Sequence, residues 1–164
     1  MGSTTAQNFE QVTYGGTASQ HRGNHRAIIG DAVATRTLVP KESGALCLLD
    51  RAAGVVYTLP TPVIGMQFEF VATVSVTSNA YKIVTASTST QFLLGEIAMI
   101  STATASPAGF AANGTNIAAL SANGSTTGGL IGERYKVTAI SATQWFIEGV
   151  CVGSGTLATP FAAS

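Results

Sequence analysis

The sequence predicts an all-β protein, a compact antiparallel β-barrel or sandwich with an extended N-terminal arm. Three observations lead there. From residue 44 onward, short apolar runs rich in β-branched and aromatic residues follow one another. Turn residues separate these runs at intervals of about eight to twelve positions, the spacing of a sandwich or barrel. Gly or Pro interrupts most windows in which a helical period could have developed.

The elements follow in order. Residues 1–40 are polar and rich in Gly, Thr, Gln and Asn, and their only strand-like pieces are "EQVTYGG" and "RAIIGDAV". They are read as the arm, and residues 41–164 as the β domain with a short C-terminal tail. "ALCLLD" (45–50) and "VVYTLP" (55–60), joined by "RAAG", read as a tight hairpin. Residues 66–77 alternate: Met66, Phe68, Phe70, Ala72, Val74 and Val76 share one face, which predicts a long half-buried strand. "YKIVTAS" and "QFLLGEIAMIS" follow as strands, and "AANGT" and "SANGS" as hairpin or loop tips, because Asn-Gly supplies positive φ. "ERYKVTAIS" and "QWFIEGVCVG" close the domain as a hairpin around "AT".

Alanine, threonine, glycine and serine supply 79 of the 164 residues, and only 10% are charged, against about 25% in ordinary soluble domains. Eight basic and eight acidic residues cancel, so no electrostatic case exists for nucleic acid or an anionic membrane surface. No apolar run reaches the roughly 20 residues of a membrane span, and "MGSTTAQNFEQ" lacks the pattern of a secretory signal. Asn113-Gly-Thr and Asn123-Gly-Ser are therefore read as turns, not as glycosylation sites. A neutral, charge-poor surface suits a protein held in an assembly.

Chemistry is sparse. Phosphate loops, dinucleotide fingerprints, nucleophile elbows and zinc spacings are missing from the sequence, so no enzyme and no cofactor or metal are expected. Asp50, Glu69, Glu96, Glu133 and Glu148 are scattered singly and read as solvated charges on strand faces or ends. "HRGNHR" is the densest polar cluster, and no helical pattern surrounds its His-x-x-x-His spacing. It reads as part of an arm that docks on a partner. Phe9, Val12, Tyr14, Ile28 and Ile29 would anchor that arm, and His21, Arg22, His25, Arg26 and Arg36 would hydrogen-bond. Trp145 belongs to the core or to a subunit interface, and Cys47 and Cys151 are small buried hydrophobes.

The stretch 43–87 resembles small structural proteins of tailed bacteriophages, in which a strand ending Leu-Leu-Asp leads by a short turn into a "-TLP-P---G--F-F-" strand. Leu48, Leu49, Asp50, Thr58, Leu59, Pro60, Pro62, Gly65, Phe68 and Phe70 carry the likeness. By size and arm it is most similar to the capsid decoration (cement) proteins. Their pattern implies a virion protein on the capsid exterior, made in the bacterial host cytoplasm, that staples major capsid protein subunits. It also implies a homotrimer. A fibre or receptor-binding module contacting a host glycan is the alternative. The motif residues have scaffold roles of their own: Pro60 and Pro62 end a strand, Gly65 allows the reversal, Phe68 and Phe70 enter the core, and Asp50 holds a turn. The trimer is also motivated by runs such as "FLLGEIAMI", which put apolar side chains on both faces, so a second layer or a neighbouring copy must cover one of them.

Overall fold

A computed structural model of the chain describes residues 26–30, 33–103 and 106–164, together with the backbone of two short strands, Gln11–Tyr14 (β1) and Ala18–His21 (β2). The other strands are Ile28–Ile29 (β3), Thr35–Thr37 (β4), Leu46–Leu49 (β5), Val56–Thr58 (β6), Gln67–Ala72 (β7), Tyr81–Val84 (β8), Phe92–Ser101 (β9), Ala108–Asn113 (β10), Ala119–Ala122 (β11), Arg134–Ala139 (β12), Gln144–Gly153 (β13) and Phe161–Ala162 (β14). One turn of 3-10 helix, Pro40–Glu42, precedes β5. β1 and β2 pair antiparallel with each other and, among the described residues, with no other strand.

The remaining strands form a sandwich of two mixed sheets. One runs β10-β9-β13-β12-β7-β5-β3, the other β14-β11-β8-β6-β4. From β3 to β8 each successive strand belongs to the opposite sheet, so the chain winds as a flattened coil. Turns of the coil stack in register, which makes β3, β5 and β7 parallel neighbours on one side and β4, β6 and β8 on the other.

Alternation decides what the layers enclose. β7 turns Phe68, Phe70 and Ala72 inward, β12 turns Tyr135, Val137 and Ala139, and β13 turns Trp145, Ile147 and Cys151. Tyr57, Tyr81, Ile83 and Leu120 meet them from the smaller sheet. Burying such side chains contributes about 1.5–3 kcal/mol each. The Tyr57 and Phe70 rings, one from each sheet, meet edge to face with centroids 5.4 Å apart. Buried tyrosines also need partners for their hydroxyls. Tyr57 donates to the carbonyl of Leu48 (3.0 Å) and Tyr81 to that of Val74 (2.7 Å).

Several expectations are met. The fold is all-β. β12 and β13 form the closing hairpin, with Ala139 opposite Trp145. Pro60 and Pro62 are buried where β6 ends, and Gly65 turns the chain at φ +91° while its N–H donates to Ala139 (2.9 Å). Trp145, Cys47 and Cys151 are fully buried, and both cysteines are free.

Other expectations are corrected. The pairing is mixed: besides the coil's ladders, β9 and β13 run parallel over ten residues. The segments 45–50 and 55–60 do not form a hairpin, because β5 and β6 lie in different sheets. "RAAG" lacks the Asn-Gly chemistry of a two-residue turn. Six residues readily cross the roughly 10 Å between layers, and Gly54 closes the turn by donating to the Arg51 carbonyl (2.8 Å). The long strand stops at Ala72; Val74 is exposed and Val76 is buried again beyond the bend. Of the two readings of the Asn-Gly pairs, hairpin or loop tip, the loop tip holds: both lie in turns that carry the chain between sheets. The Asn113 carboxamide accepts the N–H of Thr115, and that of Asn123 the N–H of Ser125. The sandwich also takes in residues from Arg26 onward, since β3 and β4 are its edge strands.

Phe70→Ala should lower unfolding stability by about 3–5 kcal/mol, because it removes a side chain that both sheets enclose. Gly95→Ala should be at least as disruptive, since at φ +136° a Cβ there would overlap the carbonyl oxygen of Ile147. Denaturant titration followed by circular dichroism checks both.

Candidate functional site

The residues that do not face the core make the outer face of the larger sheet, and strand register arranges them in rows. One row reads Leu46, Glu69, Lys136, Glu148, Glu96; the next reads Leu48, Val71, Arg134, Val150, Ala98. All of these but Leu48 line an open groove of about 720 Å³ that extends to Gly109 on β10.

The charges in the groove are partly paired. The Arg26 guanidinium contacts the Glu69 carboxylate at 2.6 Å, and its remaining N–H groups donate to the carbonyls of Gly44 and Ala45. Lys136 lies 3.7 Å from Glu148. Half-exposed pairs of this kind contribute about 0–1 kcal/mol. Glu148 stands directly opposite Glu96, which has no ion pair among the described residues. Like charges facing each other across a ladder are mildly destabilising, and these two leave the row with an excess carboxylate. Both are exposed on an open face, the solvated setting expected from the sequence.

Glu133 departs from expectation. Its place in the sequence suggests a solvated charge on a strand face or end, yet it is fully buried. Its Oε1 accepts N–H groups of Gly129 (2.7 Å) and Val152 (2.8 Å), and its Oε2 accepts the Tyr135 hydroxyl (2.7 Å). Burial pushes the carboxyl above its usual range, and these hydrogen bonds only partly oppose the shift. Burial, then the neighbouring Glu133 charge, holds the Tyr135 phenol well above its ordinary value. Cys151 completes the cluster, its thiol pushed up to about 12 chiefly by burial; burial does the same for Cys47. The signal was present in the parity, because Glu133 shares the inward phase of Tyr135, Val137 and Ala139. Its role is structural: it ties the 124–132 loop to β13.

The structure separates the proposed arm residues. Phe9, Arg22 and His25 lie outside the described residues; Val12, Tyr14 and His21 fall on β1 and β2, whose side chains are not described. Arg26 is tied to the groove's rim, and Ile29 is buried while Ile28 is 67% exposed. Arg36 pairs with Glu42 at 2.7 Å, and Glu42 also caps the N–H of Val39 (2.9 Å). Of the motif residues, Phe68 and Phe70 are fully buried, and Asp50 sits half-buried at the β5–β6 turn. Phe146, 37% exposed, lies on the outer face beside Leu94. No protein-family model, no curated protein and no solved structure matches the chain.

Glu133 gives the fold a pH dependence whose sign follows from its raised value. Above the ordinary carboxylate range, near pH 4.3, the unfolded chain has lost the proton that the folded chain still holds. Stability should therefore fall as pH rises through that window and level off once the folded carboxyl ionises. Glu133→Gln keeps the acceptor for both N–H groups and should remove that part of the slope. Glu133→Ala leaves three buried donors without a partner and should cost about 3 kcal/mol or more. Melting curves between pH 4 and 8 check all three.

Proposed function

We propose that the protein is a structural virion component that binds the outer surface of a tailed-phage capsid and stabilises it by bridging major capsid protein subunits. One observation carries this reading: a β1–β2 hairpin that belongs to neither sheet precedes a sandwich whose buried core runs from Ile29 to Phe161. A two-stranded ribbon alone is marginal in water, so this segment is suited to ordering against another surface, a capsid subunit or an adjoining copy. The sandwich supplies a rigid body, with exposed apolar side chains such as Ile64, Val63 and Ile131 around it. Stable attachment would require a contact above about 1,200 Å², commonly built from several such patches. The resemblance of residues 43–87 to phage structural proteins points the same way, and so does the charge-poor composition. On this reading the protein is not an enzyme, acts as a homotrimer, and is found on the capsid exterior.

The test compares the full chain with a fragment of residues 26–164 on undecorated capsids. The fragment should keep its β-type circular dichroism and a cooperative melt, yet fail to decorate or to protect the shell against heat. Full occupancy by the fragment would overturn the role given to the preceding residues. A few copies confined to a vertex or tail tip, in place of hundreds over the shell, would instead mark a receptor-binding module.

A further inference from the structure

A sandwich offers unpaired backbone groups at the edges of its sheets, and natural proteins usually blunt such edges with short strands, charges or proline. Here β3 and β14 have two residues each and β4 has three. β10 is different. It has six residues, AGFAAN, with no charge and no proline. The Gly114 N–H donates to the Leu93 carbonyl at 2.9 Å, which sets the phase of the β9–β10 ladder. Alternation then turns the N–H groups of Ala108, Phe110 and Ala112 toward β9, and those of Gly109 and Ala111 toward the open edge. Both of these residues are exposed.

The β1–β2 hairpin has the complementary lack: two four-residue strands that, among the described residues, pair with no third strand. Its own β10 edge is out of range. From His21 to Ile28 is seven residues, which span at most about 25 Å. A strand laid outside β10 is seven strand spacings from β3, about 33 Å along the sheet. The hairpin of a neighbouring copy has no such limit.

We propose that the β1–β2 hairpin of one copy adds to the open β10 edge of a second copy and extends its seven-stranded sheet. One contact then meets two needs, covering the unblunted edge and completing the marginal ribbon. It is head-to-tail, so it covers one edge per copy when it closes into a ring. This inference goes beyond the capsid reading and is tested without capsids.

Hydrogen exchange on the full chain, at low and high protein concentration, reads the edge directly. The amides of Gly109 and Ala111 should exchange at least tenfold more slowly at high concentration, in step with a rise in mass by light scattering. Ala111→Pro removes an edge-facing N–H and leaves the β9 ladder intact; it should hold the chain monomeric with an unchanged melt. The 26–164 fragment should be monomeric too. Fast exchange at every concentration overturns the proposal, as does protection independent of concentration, which would mean that a chain's own hairpin reaches the edge. An assembly that survives loss of residues 1–25 yet is abolished by Ala111→Pro would place β10 against β10 and overturn it equally.

Discussion

The inner face of the larger sheet carries Phe68, Phe70, Tyr135, Leu93 and Trp145, all shielded from water, and that apolar layer must be covered. Covering it explains much of the topology. A chain that adds one strand to a sheet and then crosses to the opposite layer builds the cover as it builds the sheet. The crossings support one another in consequence. The N–H of Thr77 in the β7–β8 loop donates to the Ala52 carbonyl in the β5–β6 loop at 2.7 Å, and the Asn79 side chain reaches the Ala53 carbonyl at 3.0 Å. The 123–132 loop joins the same end, where the Val76 N–H bonds to the Gly129 carbonyl at 2.8 Å. Backbone groups that leave one sheet thus find partners in the neighbouring loop and not in water.

Much of this was legible one strand at a time. Alternation at 66–72 marks Phe68, Phe70 and Ala72 as the inward side chains, and "ERYKVTAIS" and "QWFIEGVCVG" read as the hairpin that β12 and β13 form. Partner choice was not legible. Alternation says which face of a strand is buried and nothing about which sheet it joins, so 45–50 and 55–60 read as a hairpin although they face each other across the core. Arg26 illustrates a second limit. Its neighbours are polar, so it reads as part of a detached arm, yet its partner Glu69 is 43 positions away. Glu133 illustrates a third, because its charge suggests solvent while its parity places it inward. The inward phase of its neighbours was the better guide, since three donors were available to receive the carboxylate.

The outer-face rows lay beyond sequence reasoning for a related reason: they need register between β7, β12, β13 and β9, which only the assembled sheet supplies. Once the sheet is built, a chain with few charges turns out to gather several on one surface. Arg26, Glu69, Glu96, Arg134, Lys136 and Glu148 all belong to it. The distribution separates two kinds of surface. On the groove face, long charged side chains stand over the strands and oppose unselective sheet stacking through their hydration. Along β10 the residues are neutral and, Phe110 and Asn113 apart, small, so an approaching strand meets no charge.

That contrast bears on how a charge-poor protein stays selective. Charge repulsion gives such a chain little protection against unwanted association, so geometry has to provide it. Short edges at β3, β4 and β14 give an incoming strand two or three residues to hold, too few to register. Buried Glu133 keeps the 124–132 loop tied to β13, and so keeps the end of the sandwich closed where strands change sheets. Selectivity here comes from limiting where backbone is exposed, and the edge left unblunted, β10, is the one the proposed contact uses.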